Sequence, residues 1–197
     1  MTKVLAHNLP FETFDDWFEK AKRSDEHEPN AMNLATATPE GRPSNRMVLL
    51  KDHSPDGFVF YTNYEGRKGK ELLANPFASL CFHWKGLKRQ IRIEGRVDPV
   101  SDQEADAYFN SRALNSRLGA WASQQSRPLE SKAKFLVDVA SVTARFAGRE
   151  VPRPPYWSGF RLVPDCIEFW EDGAFRMHNR QQYTKVEGGW TVRLLYP

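Results

Sequence analysis

The chain has 197 residues, 40% hydrophobic and 13% aromatic, with a formal net charge of +3; that is material for one core and one domain, and no run approaches the ~18 apolar residues of a membrane span. The first ten residues lack the basic and apolar blocks of a secretory leader, and two cysteines, Cys81 and Cys166, form no disulfide framework, so both are expected as small buried thiols in a reducing cytoplasm. The mild positive excess suits small phosphorylated ligands better than extended nucleic acid, so the expected partners include neither nucleic acid nor membrane.

In chain order, Phe14, Trp17, Phe18 and Ala21 predict an amphipathic helix over residues 11–23, within an N-terminal helical segment of residues 1–30. Residues 31–197 read as the main domain, with a helical insert at about 101–148, in a single structural unit overall. Residues 31–38 predict a strand and the turn Pro39-Glu40-Gly41-Arg42-Pro43 makes a hairpin with the next. That next stretch, Asn45-Arg46-Met47-Val48-Leu49-Leu50-Lys51, holds four apolar residues between two cations and predicts a buried strand. A period of two sends Arg46 and Lys51 to opposite faces, which suggests one anion on each. Residues 58–62 predict a further strand.

Glu65-Gly66-Arg67-Lys68-Gly69-Lys70 then feeds a short helix that Asn75-Pro76 stops. Its start is either a solvated basic turn or a phosphate seat; its glycine spacing fits neither nucleotide-loop fingerprint. Strands follow at 77–84 and 88–97, and Ser101-Asp102-Gln103-Glu104 is a capping box. On the helix it opens, Tyr108, Arg112 and Ser116 recur every four residues, as a phosphate receptor or as a solvent face with a tyrosine at its edge. A second helix is expected over about 130–147, closed by Gly148, and a stiff linker over 151–155. The tail predicts strands at 159–163, 166–171 and 175–180, then a hairpin of 182–186 with 190–195. Antiparallel strands at both ends with helices between them make an α+β chain whose sheet closes into a barrel.

The five histidines and two cysteines are scattered without metal-ligand spacing. His178 stands between Arg176 and Arg180; in a strand all three would share a face, and the two cations would favour the neutral imidazole. The chain offers anion binders and hydrogen-bond donors but no evident nucleophile. Reactivity is therefore expected from a cofactor.

Arg46-Met47-Val48-Leu49-Leu50-Lys51, Phe60-Tyr61-Thr62, Arg67-Lys68, Arg89-Gln90 and Tyr108-Phe109-x-Ser111-Arg112 stand in order. Gly119-Ala120-Trp121 with Gln125-Ser126, Ile167-Glu168-Phe169-Trp170 and Arg176-x-His178-x-Arg180 follow. From about residue 31 to the C-terminus this series resembles the pyridoxine (pyridoxamine) 5'-phosphate oxidase family. The resemblance implies an FMN-binding split β-barrel, a homodimer with FMN in the subunit interface, and the last step of pyridoxal 5'-phosphate synthesis. It implies that Arg46, Met47, Val48, Leu49, Leu50, Tyr61, Thr62, Arg67, Lys68, Gln90, Gln125, Ser126, Trp170 and Arg180 hold FMN. It places Lys51, Tyr108, Arg112 and Ser116 on the substrate phosphate, and Arg176 and His178 against the substrate ring as the catalytic pair. The chain departs from the family at Asn179, where relatives usually carry Asp, at Leu194, commonly Arg, and at Ala113, a frequent proline. The stretch before Pro10 is shorter than the family's closing segment. Three other readings stay open: an oxidase of the same barrel with another substrate, a non-catalytic flavin- or pyridoxal-phosphate-binding protein, and a basic barrel that binds nucleic acid.

Overall fold

The protein is described by a computed structural model over residues 4–6, 8–24 and 26–197. Helix α1 (Leu9–Arg23) buries Phe11, Phe14, Phe18 and Ala21, the stripe its spacing dictates, with Glu12 in its first turn and Lys20, Lys22 and Arg23 in its last. Phe14 meets Phe58 and Phe82 edge-on at ring distances of 4.9 and 5.4 Å, which seats the helix on one face of the sheet. Each such fully buried ring contributes about 1.5–3 kcal/mol. Residues 1–3, in the stretch that is shorter than the family's closing segment, lie outside the described residues, as do 7 and 25.

Among the described residues nine strands form one antiparallel sheet: β1 (Ala31–Ala37), β2 (Pro43–Leu49), β3 (Asp52–Ser54), β4 (Gly57–Asn63), β5 (Phe77–Trp84), β6 (Arg89–Pro99), β7 (Trp157–Glu171), β8 (Asn179–Val186) and β9 (Gly189–Leu194). The order is β2-β1-β5-β6-β7-β4-β3, with β8 and β9 continuing from β7. Helices α2 (Arg67–Ala74), α3 (Asp102–Ser111), α4 (Leu114–Ala122) and α5 (Lys132–Arg145) lie between the strands in sequence. The result is a curled half-barrel flanked by helices, the α+β architecture expected. Among the described residues no helix is long and apolar enough to cross a membrane.

Strand β7 organises the curl. One edge pairs with β6 along nearly its whole length, while the other pairs with β4 over Trp157–Leu162 and with β8 over Cys166–Glu171. The sequence predicted two strands here, broken at Pro164. The structure makes one, because Pro164 falls at the bulge in the β6 register between Glu94 and Gly95, and neither β4 nor β8 pairs with it. A proline in that position removes no ladder bond.

Three other expectations change. Residues 47–50 are not a buried strand: β2 is a sheet edge, Met47 is 62% exposed, and only Leu50, just past the strand, reaches the core. Residues 175–180 are not a strand: Ala174–Arg176 is a 3-10 turn and β8 begins only at Asn179. Phe175 and Arg176 take φ of 55° and 63°, left-handed backbone that breaks the alternation, so Arg176, His178 and Arg180 do not share a strand face. Cys81 and Cys166 are half-buried rather than enclosed, and burial pushes both thiols up.

Candidate active site

A cavity of about 500 Å³ opens where β2, β4, α2 and the α3–α4 junction meet. Its floor is β4, the strand beside β7. Tyr61 stacks on Tyr108 at 4.0 Å and on Trp157 at 5.5 Å, all nearly parallel. Gly159 permits the stack, because a Cβ there would stand 2.7 Å from the Tyr61 ring. Burial first, then the charge of Glu104, pushes the Tyr61 phenol up to about 12, so it stays protonated and can donate a hydrogen bond.

One wall comes from the helices. Ser101 caps α3, its Oγ accepting from the Glu104 N–H at 3.2 Å as the capping box requires. The helix was expected to run through Ser116, but it ends at Ser111; Arg112 is extended (φ −77°, ψ 148°) and Ala113 caps α4. Tyr108, Arg112 and Ser116 therefore do not lie on one helix face. They converge across the break instead, and all three line the cavity with Lys51. The Arg112 guanidinium packs over Trp157 at 4.8 Å. Its Nη1 is buried with no hydrogen-bond partner. Burial lowers its pKa, with Tyr108 opposing. The Lys51 ammonium stands 6.0 Å from the Tyr108 ring centre.

The facing wall carries Met47, Val48 and Leu49 from β2, Thr62 from β4, Lys68 from α2 and Gln125 from the loop after α4. Lys68 Nζ donates to Gln125 Oε1 at 2.9 Å and to Thr62 Oγ1 at 3.3 Å, and Thr62 Oγ1 donates to the same Gln125 oxygen at 3.0 Å. Burial, then the charge of Arg46, lowers the Lys68 pKa. Behind Lys68, Arg46 and Arg67 close on the buried carboxylate of Glu71. Arg46 turns away from the cavity to Glu71, whereas Lys51, two residues past the end of β2, lines it.

The remaining expected residues lie elsewhere. Leu50 is packed in the core. Ser126, at φ 68°, lines a separate cleft under α5. Gln90 and Trp170 are cross-strand partners on β6 and β7, and Trp170 is in turn paired with Arg180 on β8. Arg180 Nε donates to the buried Glu168 at 2.8 Å and its Nη1 to the Tyr196 carbonyl at 2.8 Å. His178 lies 4.7 Å from the Trp170 ring, and its Nδ1 accepts from the Gly173 N–H at 3.2 Å. An Asp172 carboxylate oxygen lies 3.2 Å from the same Nδ1. Arg176 is exposed on the turn. None of these lines the cavity.

Sequence reasoning missed Trp157 and Glu71. Trp157 carried no usable signal, since its ring acts through partners distant in sequence. Glu71 did: it stands four residues after Arg67, the spacing of a helical ion pair. Among the described residues no group of three or more His, Cys, Asp or Glu side chains is placed to hold a metal ion.

Residues 18–146 match the pyridoxamine 5'-phosphate oxidase family, and residues 157–197 match the pyridoxine 5'-phosphate oxidase C-terminal dimerisation region. The chain is 59% identical over 188 residues to the pyridoxine/pyridoxamine 5'-phosphate oxidase of Sphingopyxis alaskensis, covering 95% of this chain and 87% of that one. It is 58% identical to that of Rhodospirillum rubrum, covering 95% and 96%. The structure of PhzG from Burkholderia lata 383 with tetrahydrophenazine-1-carboxylic acid superposes with a TM-score of 0.90 at 32% identity, over 95% of this chain and 92% of that one. A pyridoxamine 5'-phosphate oxidase-related, FMN-binding protein from Nostoc punctiforme shares the fold, with a TM-score of 0.75 at 18% identity over 99% and 100%. The chain belongs to the pyridoxine/pyridoxamine 5'-phosphate oxidase family of oxidoreductases.

Proposed function

We propose that the protein is a cytoplasmic, homodimeric, FMN-dependent oxidase that converts pyridoxamine 5'-phosphate and pyridoxine 5'-phosphate to pyridoxal 5'-phosphate. The observation that carries this reading is the cavity itself. Arg112 Nη1 is buried there without a partner, and Lys51 and Lys68 have no carboxylate partner among the described residues. A buried donor of that kind is costly unless a ligand satisfies it. Two separate cationic patches, Lys51 with Arg112 and Lys68 before Arg46 and Arg67, suit two phosphates: that of the substrate and that of FMN.

Bound FMN would supply the redox chemistry, accepting a hydride from the substrate 4' carbon and yielding hydrogen peroxide with dioxygen, while water releases ammonia from the oxidised amine. The chain's own task is alignment. Lys51, Tyr108, Arg112 and Ser116 anchor the substrate phosphate, which fixes the distance of the reacting carbon from the cavity floor. Met47, Val48, Leu49, Tyr61, Thr62, Lys68 and Gln125 offer the cofactor a wall of backbone, hydroxyl, amide and ammonium groups. Gln90, Trp170, Arg176, His178 and Arg180 lie apart from this cavity, in or beside the segment that matches a dimerisation region. In a homodimer they would complete the partner's site, with Arg176 and His178 orienting the substrate ring.

The test mixes FMN-loaded protein with pyridoxamine 5'-phosphate without oxygen. The flavin visible band should bleach and return on admitting air, with pyridoxal 5'-phosphate formed. Tetrahydrophenazine-1-carboxylic acid, which has no phosphate, is the control substrate; bleaching by it alone would move the protein to another chemistry in the same barrel. Bound pyridoxamine 5'-phosphate with unchanged flavin would make it a binding protein.

A further inference from the structure

Glu71 is a buried charge that the alignment mechanism does not use. It is 6% exposed and sits one helical turn after Arg67 on α2, facing β1 and β2. Its Oε1 accepts from Arg67 Nε at 2.9 Å. Its Oε2 accepts from Thr36 Oγ1, from Ser44 Oγ at 2.6 Å and from Arg46 Nη2 at 3.3 Å. Both terminal nitrogens of Arg46 are engaged: Nη1 also donates to Thr36 Oγ1 at 2.5 Å and to the Leu34 carbonyl at 3.4 Å, and Nη2 to Ser44 Oγ at 2.5 Å. Neither Arg46 nor Arg67 lines the cavity, whereas the adjacent Lys68 does.

Two guanidinium groups and one ammonium against one carboxylate leave an excess of two positive charges. A phosphate monoester carries nearly that much negative charge at neutral pH. We propose that Glu71 is the internal counter-ion of the phosphate end of the FMN site, a positioning residue that occupies Arg46 and Arg67 in the cofactor-free chain and thereby sets how strongly the site selects a phosphorylated flavin. This rests on the FMN reading above.

Carboxylate and phosphate compete for the same cations. Removing the carboxylate leaves Arg46, Arg67 and Lys68 to repel one another, and a phosphate then relieves a larger repulsion. Loss of the held guanidinium geometry acts in the opposite sense, but through single hydrogen bonds. The charge change acts on both negative charges of the phosphate, so it wins.

The experiment titrates cofactor-free wild type, Glu71→Gln and Glu71→Asp with FMN and with riboflavin, which lacks the phosphate, following flavin fluorescence. Glu71→Gln should bind FMN about five-fold tighter or more, with riboflavin affinity changed less than about two-fold. Glu71→Asp should keep the wild-type ratio. Cofactor-free Glu71→Gln should also melt lower than wild type, and FMN, not riboflavin, should recover the difference. If the cofactor-free variant does not fold, soluble yield on refolding with FMN against riboflavin reads the same selectivity. Unchanged or weakened FMN binding by Glu71→Gln overturns the proposal, as does an equal shift for both flavins, which marks a role in the fold alone. Wild type that takes up neither flavin overturns the FMN reading itself, and the inference falls with it.

Discussion

The cavity wall and the C-terminal strip treat their cations in opposite ways. Around the cavity, Lys51, Lys68 and Arg112 have no carboxylate partner among the described residues, although Lys68 and Arg112 are substantially buried. Along the strip, Arg89 pairs with Glu171 at 2.6 Å, and Arg92 and Arg180 with Glu168 at 2.7 and 2.8 Å. A paired cation is held in place; an unpaired buried one waits for an anion. On the proposed function the first region is the receptor, and the second holds its arginines already oriented.

The largest expected effect separates the two regions by chain. Arg112→Ala removes a charge-assisted bond of about 1.5–3 kcal/mol and should raise KM for pyridoxamine 5'-phosphate roughly 10- to 100-fold. His178→Ala should depress kcat instead. Assayed at substrate well below the wild-type KM, where both variants are impaired, the mixed and re-equilibrated pair should rise to about a quarter of wild-type activity, since half the dimers are then hybrids with one intact site of two. No recovery would place His178 in the site of its own chain.

Acid should loosen the Glu71 cluster behind the cavity wall. The Glu71 carboxyl is driven up by burial, but hydrogen bonds from Ser44, Thr36, Arg67 and Arg46 outweigh this and hold it at about 2, against an ordinary 4.5. A pKa lower in the folded than in the unfolded chain stabilises the fold fully above pH 4.5, and this contribution is lost as pH falls towards 2. It is worth about 3 kcal/mol. Thermal melts of wild type should therefore fall more steeply over that window than those of Glu71→Gln; parallel curves would remove Glu71 from the account.

A milder change probes the strip alone. A Cβ on Gly173 would lie 2.0 Å from the Met177 carbonyl oxygen. Gly173→Ala should shift the turn that carries Arg176 and His178 at a cost of about 1–3 kcal/mol, lowering kcat while KM changes little. A rise in KM instead would tie the turn to phosphate binding.

The smallest expected effect lies at the helix break. Ala113 has φ −54° and follows an extended Arg112, a geometry that proline accepts. Ala113→Pro should stabilise the fold by about 0.4–1 kcal/mol, read as a higher denaturant midpoint, with KM unchanged. A raised KM would show that the break must flex for Arg112 and Ser116 to meet the phosphate.

Local signals in the sequence were sufficient for most of the fold. The apolar spacing of Phe14, Phe18 and Ala21, the Ser101–Glu104 capping box and the alternation through residues 77–84 and 89–97 each act over a few residues, and each element stands where those signals put it. The motif series named residues that line the cavity, such as Lys51, Tyr61, Lys68, Tyr108 and Arg112, together with others, such as Gln90, Trp170 and His178, that do not.

Tertiary structure decided the rest. Periodicity cannot tell an edge strand from a central one, so the exposure of Met47 depended on which strand lay beside β2. It cannot see that Pro164 meets a bulge in β6, which turned two expected strands into one. Nor can it see left-handed backbone at Phe175 and Arg176, which parted Arg176 and His178 from the strand of Arg180. The Tyr108–Arg112–Ser116 column shows both sides. Four-residue spacing picked three residues that do share one cavity, yet the helix that was to align them is broken, and they meet because α3 and α4 turn about Ala113 onto it. Spacing fixes direction only within an unbroken element; across a break, packing does.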